Sequence, residues 1–201
     1  MTTLLEIPLN DVSPSILHDL QIQYPNGAVL RIDVADVFTT MNAAQFWAII
    51  AQFDWRTLDS DAILAPAAKA LSRFSKESIY RFHDILNEKL YALDGNRFAE
   101  QLGSNKYEAD NNKHFSVDSF LYARCCVVAN GQFFYETVFK NPTKMPKEYT
   151  FESLLYLPRK AWFLKTKRDN YDYFPEIWSE TFSNSDGWEG ITPLKERLNL
   201  L

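Results

Sequence analysis

Glycine is scarce in this chain, six in 201 residues, and none falls in a G-x-x-x-x-G-K-[ST] or G-x-G-x-x-G pattern. A phosphate-cradling loop needs several glycines so that backbone amides can approach the ligand, so nucleotide chemistry of that kind has nothing to build on. Histidine is equally sparse. His18, His83 and His114 stand far apart, without H-E-x-x-H or a C-x-x-C partner, which leaves no metal-ligand spacing. No G-x-S-x-G elbow occurs. No catalytic residue, metal or cofactor is therefore expected. The only cysteines, Cys125 and Cys126, are neighbours. Adjacent helical side chains diverge by roughly 100°, so the pair is expected reduced and the compartment cytoplasmic. No basic, apolar leader is visible, and no uninterrupted apolar run approaches a membrane span.

What is present is core-forming. Apolar residues make up 46% and aromatics 15%, enough for one domain of this size without a disulfide or metal staple. The net charge of −5 argues against nucleic acid as the main partner. Residues 1–37 read as a small strand–helix–strand unit. "TLLEIPL" (3–9) and "GAVLRIDV" (27–34) alternate loosely, and Ser13-Pro14 opens a helix that Pro25 ends. Five carboxylates against Arg31 make this unit acidic, net −4.

From Thr40 the period becomes 3.6. Five to seven helices follow, the strongest running over "SKESIYRFHDILNEKLYALDG" with Ser75 as cap and Ile79, Phe82, Leu86, Leu90 and Leu93 as its stripe. His83 beside Asp84 is expected to be an exposed helical pair. Pro158 should kink or divide the helix over 150–168, and the last 33 residues should be irregular, pinned by Trp178, Phe182 and Trp188. The expected fold is mainly α, a multi-helix bundle-like domain (40–201) carrying the N-terminal α+β unit.

"FSVDSFLYARCCVVANG" reads as a helix from Ser116 to Asn130-Gly131, apolar on nearly all sides and therefore central. Arg124 then sits in the core and cannot shed its charge, so it requires a carboxylate or carbonyl partner. Asp84, Glu88, Asp94, Asp118 and Glu136 are the candidates, with Glu88 favoured for its place beside the apolar stripe. The thiols lie far from the helix N-terminus and are expected to be inert. The one basic stretch, "PRKAWFLKTKR" (158–168), interleaves cations with Trp162 and Phe163. A solvated helix end accounts for it better than a nucleic-acid surface does.

Five segments in order, "FWAIIAQFDW", "YRFHDILNEKLYALD", "FSVDSFLYARCCVVANG", "YETVFKNPTKMPKEYTFESLLY" and "ETFSNSDGW", resemble a bacterial family of uncharacterised proteins, domain-of-unknown-function family 4240, over about residues 41–188. The resemblance implies a polar set at Glu88, Asp94, Asp118, Arg124 and Asn130 and no particular reaction. A small acidic chain that lacks a catalytic motif, is rich in aromatics and carries an N-terminal unit needing a partner surface is expected to be a protein-interaction module of immunity or antitoxin type, with a protein partner or self-association through residues 1–37. The alternative is a small-molecule or hydrolytic site built from Glu88, Asp118 and Arg124.

Overall fold

Asn42 begins the helical unit with a reciprocal cap: its side chain accepts from Gln45 N at 3.0 Å, and the Gln45 side chain accepts from Asn42 N at 3.0 Å. The computed structural model describes residues 13–24, 41–109 and 115–188. Among them are eight α-helices: α1 (Pro14–Gln23), α2 (Ala43–Ile50), α3 (Ser60–Leu71), α4 (Lys76–Ala92), α5 (Asn96–Ala99), α6 (Val117–Ala129), α7 (Gln132–Lys140) and α8 (Leu157–Thr166). Short 3-10 turns lie at Pro142–Lys144, Glu152–Tyr156 and Ser185–Trp188.

The chain divides into two compact units, Met1–Asp36 and Val37–Leu201. The expected α+β character is corrected: the fold is mainly helical, with no strand among the described residues. What is described of the first unit is α1 alone, capped by Ser13 with Pro14 in its first turn. The segments read as strands, 3–9 and 27–34, lie outside the described residues. Their loose alternation was weak ground, because a strand exists only through a ladder partner that a period of two does not supply.

In the second unit α4 is the spine, packing against α2, α6 and α8. Its stripe is buried as the spacing dictates, with Ile79, Phe82, Leu86, Leu90 and Leu93 all inaccessible. Phe46 of α2 stacks its ring 4.7 Å from that of Phe82. Helix α6 buries Phe120, Leu121, Ala123, Arg124, Cys125, Val127, Val128 and Ala129, the all-round burial expected of a central helix. It stops at Gly131, whose φ of +88° only glycine adopts without strain, and α7 starts at once. Pro158 divides rather than kinks the late helix. A 3-10 turn ends at Tyr156, and α8 opens with Pro158 in its first turn, where no N–H is needed. Helix α8 then packs along α3.

Candidate functional site

A helix that ends inside a protein leaves its last carbonyls without their usual amide partners four residues on. In α4 the tight-turn amides of Leu93 and Asp94 reach Leu90 O and Tyr91 O, and tertiary donors add to these and to Lys89 O. Tyr135 donates its hydroxyl to Lys89 O at 3.3 Å, Arg124 Nη1 donates to Leu90 O at 2.9 Å, and Asn184 Nδ2 donates to Tyr91 O at 3.1 Å. A guanidinium here also faces the negative end of the helix dipole. Arg124 is wholly buried; its Nη2 donates to Thr181 Oγ1 at 3.0 Å, and its Cζ lies 4.7 Å from the Phe120 ring centroid. Its Nε finds no acceptor among the described residues. Burial disfavours the charge, and Asp94, with Oδ1 3.9 Å from Nη1, counters that penalty.

Asp94 is equally buried, just past the end of α4. Its carboxylate accepts from Phe182 N at 3.2 Å, Asn184 N at 3.0 Å and Trp188 Nε1 at 2.9 Å. One carboxylate thus gathers three donors from 181–188. Phe182 holds a left-handed backbone (φ 73°), costly for a bulky residue, and the Asp94 bond and the Trp188 ring 4.4 Å away offset that cost. Gly187 passes so close to residue 94 that a Cβ on it would collide with Asp94 O. Trp188 closes the clasp edge-on against Tyr107 and Phe120, while Trp178, expected to pin this segment, is 62% exposed.

Of the five polar residues implied by resemblance, then, the structure joins two. Arg124 pairs with Asp94, not with Glu88, which instead binds Arg81 at 2.7 Å on the outer flank of α4. Glu88 shares that flank with Arg81, two turns back, so it turns away from α6. Asp118 is exposed in the first turn of α6. Asn130 caps the other end of α6, donating to Cys126 O at 2.8 Å. Glu88, Asp118 and Arg124 do not converge. The Cys125 thiol is pushed up to about 12 by burial, and burial raises Cys126 as well, so neither is a thiolate nucleophile near neutral pH.

His83 is not exposed. Its Nδ1 lies 3.0 Å from Tyr171 Oη, and desolvation lowers its pKa to about 4. Beside it Tyr173 donates to Asp84 Oδ1 at 2.8 Å; burial first and that carboxylate second push the phenol up to about 12. Tyr80 stacks on Tyr173 at 4.4 Å and on Trp162 at 5.3 Å. This aromatic stack holds the chain after α8 onto α4.

Two cavities among the described residues open to solvent. One, of about 390 Å³, lies among Trp55, Cys126, Asn130, Phe134, Tyr149 and Phe151. The larger, about 880 Å³, is a solvent-open groove between α3 and α8. Ala65 and Ala68 line it from α3, with Phe163 and Leu164 facing from α8, 49% and 39% exposed. Its cations are Lys69, Arg159, Lys160 and Lys167, and its carboxylates are Asp61 and Asp169. The basic stretch noticed in the sequence is therefore one wall of a groove. Nothing in that stretch alone announced the opposite wall. Among the described residues no group of three or more His, Cys, Asp or Glu is placed to hold a metal, and no helix is long and apolar enough to cross a membrane.

The family model described as "Protein of unknown function (DUF4240)" matches residues 41–163, more than half of the chain. The chain belongs to that family. The match takes in α2 to α7 and most of α8, hence the α3 wall of the groove, the α8 wall as far as Phe163 and the Arg124–Asp94 pair, while Leu164, Lys167, Asp169 and the clasp segment 181–188 follow it. No curated protein and no solved structure matches the chain.

Proposed function

We propose that the helical unit is a protein-binding module that engages its partner through the groove between α3 and α8. The supporting observation is the groove itself, which combines an apolar lining with exposed Phe163 and Leu164 and a rim of four cations. Apolar anchors ringed by polar groups are the anatomy of a protein interface. An immunity or antitoxin role is one form such a module takes, consistent with a small acidic chain. The rival small-molecule site loses its support because Arg124 is sealed in the core and spent on Leu90, Thr181 and Asp94.

A photo-crosslinking side chain placed at Phe163 in the full chain, expressed in its own host, tests the reading. A single adduct of defined mass is expected, absent when the same group replaces exposed Ser104. No adduct, or the same adducts from both positions, would end it.

A further inference from the structure

A groove's charge says what it will accept. The chain as a whole is acidic, yet this groove carries four cations against two carboxylates. Both carboxylates are already engaged. Arg159 binds Asp169 through Nε at 2.9 Å and Nη2 at 2.8 Å, and Lys160 binds Asp61 at 2.9 Å. Lys69 and Lys167 have no ion pair among the described residues. Lys69 lies in the last turn of α3, and Lys167 is the left-handed cap of α8, so one uncompensated lysine stands at the end of each wall.

The apolar lining sets a small side chain against two large ones. Ala65 is exposed on α3 while Ala68 is buried, and Phe163 and Leu164 face that wall from α8. Two packed helices with short side chains on one and larger ones on the other leave a trough that a third helix fills with its own apolar stripe.

We infer that the occupant is an acidic amphipathic helix of a partner protein, its apolar stripe against Ala65, Phe163 and Leu164 and its carboxylates on Lys69 and Lys167. This rests on the reading of the groove as the binding surface and adds the chemistry of what fills it. A nucleic-acid strand fits less well. Asp61 and Asp169 neutralise two of the four cations and would repel phosphates, and the lining offers methyl and ring surface instead of a continuous cationic track.

The test uses a fluorescein-labelled peptide of about 18 residues, five helical turns, with leucines on one face and glutamates on the other. Its twin carries lysines in place of the glutamates. Polarisation titrations with the full chain near physiological ionic strength should show saturable binding of the glutamate peptide only. The double variant Lys69→Glu, Lys167→Glu should weaken it by about tenfold or more, and Phe163→Ala by a similar factor. Circular dichroism confirms that both variants are folded. Equal binding of the two peptides, an unchanged affinity in the charge-reversed variant, or displacement by a single-stranded oligonucleotide would overturn the inference. A partner crosslinked at Phe163 through a segment that is not an acidic helix would overturn it too, while leaving the binding-module reading intact. No adduct at all would remove both.

Discussion

The clasp at Arg124 and the groove at Lys69 and Lys167 use the same kinds of charge in opposite settings. In the clasp, a guanidinium and a carboxylate are both fully buried, and every bond they make ties one part of the chain to another. In the groove, the cations are at the surface, two paired to exposed carboxylates and two not paired among the described residues. Burial decides what each arrangement can be. A sealed charge network has no ligand to meet and serves to fix geometry; a solvated one adds little to stability and remains free to bind.

The sharpest break in that comparison is Asp94→Ala. It strands the Arg124 charge in the core and leaves three donors without their acceptor, so a loss of about 3–5 kcal/mol is expected in urea unfolding. A loss under 1 kcal/mol would mean that the clasp is no stronger than a surface pair. Next is Gly187→Ala. The added carbon meets the backbone of the 94–95 peptide, at Asp94 O and Gly95 Cα, so the segment must shift, at about 2–3 kcal/mol. Near-ultraviolet circular dichroism should show Trp188 losing its fixed surroundings; an unchanged spectrum would argue against the close approach.

A third effect belongs to His83, half-buried against Tyr171. Its folded pKa, about 4, lies below the unfolded value of about 6.5, so between those limits the unfolded chain binds the extra proton. Stability should therefore fall as pH drops through that window, by on the order of 2 kcal/mol. The part of the slope due to this residue should vanish in His83→Gln, compared by urea titrations at pH 4.5 and 7. An identical slope in the variant would assign the acid sensitivity elsewhere. The smallest effect belongs to the groove: Lys69→Glu with Lys167→Glu should change stability by under about 0.5 kcal/mol. A large loss there would make these lysines structural and blur the contrast with the clasp.

Much of the helical unit was legible because its signals are local. Ser75 does accept from Ser78 N at 3.0 Å, and the 3.6-residue stripe of α4 is the buried face. The all-round apolar character of α6 correctly demanded that Arg124 be buried with partners. Which partners was another matter. Glu88 was favoured because it flanks the stripe on a helical wheel, but a wheel does not show that the helix ends two residues after Leu90, where the negative end of the helix attracts a cation. Asp94 lay just beyond the wheel. His83 read as exposed for a similar reason: the residues that cover it, Tyr171 and Tyr173, are 88 and 90 positions away. The groove was half visible, as a basic and aromatic stretch over 158–168 with no sign of α3 beside it.

The sequence by itself determined where the helices of the second unit lie, which face of each is apolar, and that one arginine would be trapped inside. Caps, stripes and breaker residues are patterns set within a few positions, so they can be read before it is known what each helix packs against. Only the tertiary structure decided that Arg124 belongs to the end of α4 and to Asp94, and that α3 and α8 form two walls of one groove. Those choices depend on which desolvated surfaces meet, and contacts between residues far apart in the chain are set by the packing of the whole unit.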